Sequence, residues 1–153
     1  MAVGTVSGID PDDNYQLITT TTITSGTGSY NYNSIAGYKT ILIVGKDIVK
    51  NSSEYVNIQL NGNTAAGSYC QNQQLGTGNF FYVTGSTAGP SAFAFVIYNV
   101  NKTIPHKVDV TYSSAPGGPN QYYTDPSVIT SIQVTSATAT FTSGTIYVYG
   151  IPA

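Results

Sequence analysis

Few residues in this chain could do chemistry, and their spacing decides what each could do. His106 is the only imidazole among 153 residues. Acting as a general base in a Ser-His-Asp arrangement, it would need a serine on a strained elbow, and no Gly-x-Ser-x-Gly occurs. Asp109 lies three residues further on, which puts it on the opposite face of an extended strand unless the strand bulges. A lone histidine at the start of a strand after Pro105 is expected at the surface. Glycoside hydrolysis needs two carboxyl groups flanking one bond. The candidates are Asp47, Glu54, Asp109 and Asp125, and no motif places any two together. Asp10, Asp12 and Asn14 match positions 1, 3 and 5 of a calcium loop, but Tyr15 stands where that loop needs glycine and Thr21 where it needs the bidentate glutamate. Asp10-Pro11-Asp12-Asp13-Asn14 therefore reads as a polar arm with an Asp-Pro turn. The pairs Gly26/Gly28 and Gly76/Gly78 lack the spacing of a dinucleotide fingerprint, and Gly45-Lys46 lacks the rest of a P-loop. Cys70, the only cysteine, sits in a strand as a small packed residue and can form no intrachain disulfide. No catalytic residue, metal or cofactor is expected.

Thirteen tyrosines with no tryptophan suit two uses. They could form a platform for glycans, or they could fill the edges of a core and the contacts between subunits; the second is the plainer reading. Charged residues are 8% of the chain and the net charge is −2. The cations are five lysines, Lys39, Lys46, Lys50, Lys102 and Lys107, with no arginine. A nucleic-acid binder neutralises phosphates with clustered Lys and Arg, so nucleic acid is not an expected partner. Thr, Ser, Asn and Tyr take the place of charges, which suits a protein with large contacts to neighbouring subunits. No basic and apolar leader opens the chain, and no apolar run approaches the roughly 20 residues of a spanning helix. The expectation is a protein made in a cytoplasm with no membrane partner. Asn51-Ser52-Ser53 and Asn101-Lys102-Thr103 match the glycosylation pattern, which has no expected use without a secretory leader.

The elements that must position these residues are strands. Thr, Val, Ile and Tyr abound, no stretch keeps apolar residues at helical spacing, and Gly, Pro or Asn punctuates short alternating runs. The predicted strands are 15–24, 29–33, 39–49, 55–60, 68–75, 80–84, 93–98, 107–112, 129–135 and 145–149. In the first, Tyr15, Leu17 and Ile23 share one parity. Ile41-Leu42-Ile43-Val44 is apolar on both parities, the pattern of a central strand buried on both sides. Asn61-Gly62 marks a tight turn. About ten short strands with turns every 8–12 residues indicate a sandwich or barrel. Residues 1–14 have little to bury and read as an extended N-terminal arm; residues 15–153 read as a single antiparallel β-sandwich domain, jelly-roll-like and all-β.

The order of motifs resembles a family of tailed-bacteriophage virion structural proteins. Tyr15-Gln16-Leu17-Ile18 is similar to its opening Y-x-L-I, and Tyr30 to Ile35 to its v-x-F-x-s-I. Tyr38 to Ile43 is similar to Y-k-x-L-x-I, and Gln59-Leu60-Asn61-Gly62-Asn63-Thr64 with Tyr69 to x-F-N-G-D-T…Y. Ile129 to Ile132 is similar to I-t-S-I, and Gly144 to Ile151, with Tyr149 and Gly150, to the terminal G-t-x-x-L-Y-G-I. The likeness spans residues 15 to 151; Asn63 departs from the usual acid, and 71–90 matches none of it. The resemblance implies a noncatalytic component of the virion surface, in tail fibres, tail tips or on the capsid. A fibre needs a coiled-coil shaft or repeat, and neither heptads nor repeats occur. The expectation is therefore a capsid decoration (cement) protein, a homotrimer bound to the major capsid protein or another virion protein. The arm would attach it through Val3, Val6, Ile9, Asp10, Asp12 and Asp13. The alternatives are a tail-fibre or tail-tip module binding a host receptor or glycan, and, from a different class, a polysaccharide-degrading enzyme.

Overall fold

Runs of β-branched and aromatic residues form strands and no helix among the described residues of the computed structural model, 14–65, 67–71, 74–112 and 121–153. The strands are β1 (Gln16–Thr22), β2 (Ser29–Tyr32), β3 (Tyr38–Lys50), β4 (Val56–Leu60), β5 (Tyr69–Gln71) and β6 (Gln74–Gly78), followed by β7 (Phe81–Tyr82), β8 (Ser91–Tyr98), β9 (His106–Tyr112), β10 (Gln121–Tyr123), β11 (Ile132–Ser136) and β12 (Phe141–Pro152). They form an eight-stranded sheet, ordered β1-β12-β3-β8-β9-β10-β5-β6, and a four-stranded sheet, β2-β11-β4-β7. The protein is thus all-β, two antiparallel sheets packed as a sandwich. A jelly roll is eight strands in two Greek keys, and the division into eight and four does not by itself make that wiring. Of the arm, only Asn14 falls within the described residues.

Alternation explains the core. Ile41 and Ile43 of β3, Phe95 and Ile97 of β8, and Ile146 and Val148 of β12 are fully buried on the inner face of the large sheet. Ile58, Leu60 and Ile132 close over them from the small sheet. Aromatic rings extend the core toward β5 and β10: Phe81 lies 5.7 Å from Phe95 and 5.1 Å from Tyr69, which lies 5.1 Å from Tyr123.

Where β3 pairs with β12, Asp47 and Ile48 oppose the single residue Gly144, a bulge on β3. Asp47 holds a φ of 53° and Gly144 one of 125°, and the pairing shifts register on both sides. The extra residue turns β3 over: Ile41 and Ile43 point inward before it, Ile48 and Lys50 after it. At the start of β12, Phe141 N–H donates to Thr27 O at 2.8 Å and Gly26 N–H to Phe141 O at 2.9 Å, which ties it to the segment before β2.

Three expectations change. Tyr15 and Leu17 are exposed, because a bulge between Leu17 and Thr19 breaks the parity they shared with buried Ile23; Ile18 packs on the core instead. The run predicted at 68–75 is two strands, β5 and β6, paired with each other. The three-residue β10, unmarked in the sequence, bridges β9 to β5.

Candidate functional site

His106 is fully buried, against the expectation of a surface residue. It opens β9 on the inner parity, and its ring stacks on Tyr123 at 6.2 Å. Nε2 lies 2.9 Å from Ser127 O and Nδ1 3.3 Å from Tyr98 O. A neutral imidazole carries one N–H and so can donate to only one of these carbonyls. Both nitrogens thus face backbone, not a hydroxyl nucleophile or a carboxylate. Asp109 points to the other face of β9, where Lys107 Nζ pairs with it at 3.1 Å and lies 5.3 Å from the centre of the Tyr98 ring. The Tyr98 hydroxyl is pushed up to about 12, first by burial and then by the neighbouring Asp109 carboxylate. The other described carboxylates have different surroundings. Glu54 accepts from the Thr138 hydroxyl at 2.7 Å, Asp125 sits in a turn of its own, and Asp47 is exposed at the bulge. No group of three or more His, Cys, Asp or Glu could hold a metal among the described residues; Asp10, Asp12 and Asp13 lie outside them. Cys70 is buried in β5.

Several of the motif residues named above sit in turns and packing contacts. Asn61 and Gly62, both at positive φ, make the expected tight turn, closed by Asn63 N–H to Leu60 O at 2.9 Å. It is not a hairpin: β4 belongs to the small sheet and β5 to the large one, so the turn carries the chain between layers. Asn61 Oδ1 accepts from Thr130 N–H at 2.8 Å, and its Nδ2 donates to Val128 O at 2.9 Å. Asn63 Nδ2 faces three acceptors, Ser68 Oγ, Tyr123 OH and Asp125 Oδ2, at 2.9–3.0 Å. The Tyr69 hydroxyl accepts from Leu60 N–H at 3.0 Å and donates to Asn63 O at 2.8 Å. Burial raises the hydroxyls of Tyr69 and Tyr123 above the ordinary tyrosine range. Hydrogen bonds from the side chain and N–H of Ser127 hold the Asp125 carboxyl low. At the C-terminal strand a Cβ on Gly144 would sit 2.8 Å from Asp47 O, and one on Gly150 would sit 2.3 Å from the Tyr38 ring. Two family-like segments therefore meet where Tyr38 covers Gly150.

Lys50 is the residue the sequence concealed. It is buried, and its Nζ has no hydrogen-bond partner among the described residues. Burial pulls the amine below the ordinary lysine range, with Glu54 acting in the opposite sense. Simple alternation from Ile41 would point Lys50 outward; the bulge at Asp47 reverses it.

The outer face of the large sheet carries an apolar surface. Cross-strand partners line up in two rows, Leu17–Tyr149–Leu42–Val96 and Thr20–Tyr147–Val44–Ala94. Tyr147 and Tyr149 stack at 6.3 Å. Leu17 is 56% exposed, and Leu42, Val44 and Val96 are only half-buried. An open hollow of about 560 Å³ lies over Val44, Ala94, Tyr147 and Tyr149, with Lys46 at its side. The double-sided burial expected for Ile41-Leu42-Ile43-Val44 is thus complete on the inner side alone. Neither protein-family models nor the curated proteins searched provide a match to this chain.

Proposed function

We propose that this protein is a noncatalytic structural component of a tailed-phage virion, a capsid decoration protein assembled as a closed homo-oligomer, most simply a trimer. The observation that carries this reading is the half-covered outer face of the eight-stranded sheet. β3 has the composition of a strand buried on both sides, yet Leu42 and Val44 are only half-buried within one chain. A contiguous apolar patch of this kind marks a contact surface, and a second copy would complete the burial by a symmetric interface. The order of phage-like motifs supports the virion assignment, and the residues that carry them work as turn, bulge and interlayer bonds. The arm 1–14 would then attach the oligomer to the major capsid protein, on the surface of a particle built in the host cytoplasm.

Sedimentation of wild type and Val44→Glu, with labelled protein located on particles, tests the reading. Wild type should sediment as an oligomer and Val44→Glu as a folded monomer, and the label should decorate heads. A wild-type monomer that also fails to bind heads, or a label confined to tails, overturns it.

A further inference from the structure

We propose that the cleft between β1 and β2 is a binding site for a neutral saccharide, independently of where the protein sits in a particle. β1 is the edge of the large sheet and β2 the edge of the small one, so the flank of the sandwich is open between them. The cleft there has a volume of about 400 Å³, within the size class of small-molecule sites. Its floor is the half-buried Ile18, backed by Ile35 and Val148, which are essentially fully buried. Polar residues line its walls: Thr19, Thr21, Asn31, Tyr32, Asn33 and Ser34. The Tyr32 hydroxyl spans the cleft and donates to Thr21 Oγ1 at 3.2 Å, which ties the two sheets together and leaves the threonine hydrogen free to turn to a ligand.

The chemistry of the walls selects the ligand. Among the described residues no charged side chain lines the cleft, so a phosphate, carboxylate or ammonium group would lose hydration without a counter-charge from them. A sugar ring offers vicinal hydroxyls that both donate and accept, and a C–H face that can lie on Ile18. An added peptide strand fits less well, because the bulge between Leu17 and Thr19 interrupts the ladder that the free edge of β1 would present.

The test is titration of the full chain with glucose, galactose, N-acetylglucosamine and their β-linked disaccharides, followed by NMR shifts. Asn33→Ala and Ser34→Ala change exposed positions and should leave the fold intact. We expect saturable binding of at least one neutral sugar, with shifts confined to β1, β2 and residues 33–35. Each variant should weaken it by about threefold to tenfold, the worth of one hydrogen bond, and the 6-phosphate or uronate of the same sugar should bind more weakly than the neutral form. No saturation by any neutral sugar, binding indifferent to both variants, tighter binding of the charged analogue, or occupation of the cleft by a second copy of the chain would each overturn the proposal.

Discussion

Replacing Lys50 by methionine should stabilise the protein. Lys50 ends β3 on the inner parity, is 3% exposed, and offers its Nζ to no acceptor among the described residues. An unsatisfied buried polar group costs about 1–3 kcal/mol, and methionine keeps the unbranched apolar stem while removing that group. For a chain of this size the gain corresponds to a rise in Tm of about 2–12 °C, at roughly 2–4 °C per kcal/mol. The pH dependence separates this explanation from a simple packing gain. Burial depresses the Lys50 amine below its ordinary value of 10.5. Between the depressed folded value and 10.5, the unfolded chain holds a proton that the folded chain has released. Wild-type stability therefore rises with pH across that window. The advantage of Lys50→Met should be greatest below the folded value and shrink as pH approaches 10.5. Urea unfolding of both proteins at pH 6, 8 and 10 measures it, and comparison at each pH cancels ionisations common to the two. Glu54, which supports the charged amine, gives a cross-check: Glu54→Gln should destabilise wild type and barely affect Lys50→Met. A variant less stable than wild type, or an advantage constant from pH 6 to 10, would refute the assignment of Lys50 as an uncompensated buried amine.

Gly144→Ala should cost about 2–5 kcal/mol, from left-handed backbone strain and overpacking together, because its Cβ would meet Asp47 O at 2.8 Å and Ile48 Cα at 2.9 Å. Gly26→Ala, at a φ of 92° with open space around it, should cost only the strain, and equal losses in thermal denaturation would count against the contact. Asn63→Asp places a second carboxylate beside Asp125 Oδ2, now 3.0 Å from Asn63 Nδ2. It should cost about 1–3 kcal/mol at neutral pH, and less below roughly pH 4, where the pair can share a proton; a loss that does not shrink on acidification would argue against like-charge repulsion. Tyr32, Tyr69 and Tyr123 are raised by burial and Tyr98 is raised to about 12. The folded state then keeps phenol protons that an unfolded tyrosine, near about 10, gives up. Stability should be complete below about pH 10 and fall across about pH 10–12, with tyrosinate absorbance rising as unfolding proceeds; full tyrosinate absorbance in a folded protein would contradict it.

The turn at Asn61-Gly62 and the strand class of the chain are local properties. Two adjacent positive-φ residues suit few sequences other than Asn-Gly, and unbroken Thr, Val, Ile and Tyr with no helical spacing leaves only pleated structure, so both were legible without coordinates. The candidate cleft was not. Its walls come from β1 and β2, its floor also takes Val148 from β12, and only the order of strands in the two sheets makes them neighbours. The same holds for Asn63 and Asp125, brought together by an interlayer turn, and for His106, whose partners Tyr98 and Ser127 arrive from a neighbouring strand and a distant loop. Bulges set the deeper limit. Alternation determines which side chains share a face only while pairing is regular, and a single inserted residue reverses everything beyond it. At Asp47 that reversal buries Lys50; between Leu17 and Thr19 the shift leaves Tyr15 and Leu17 in solvent. Gly144 at φ 125° is the one sequence trace of the first bulge, and its meaning appears only when Asp47 is seen across the ladder.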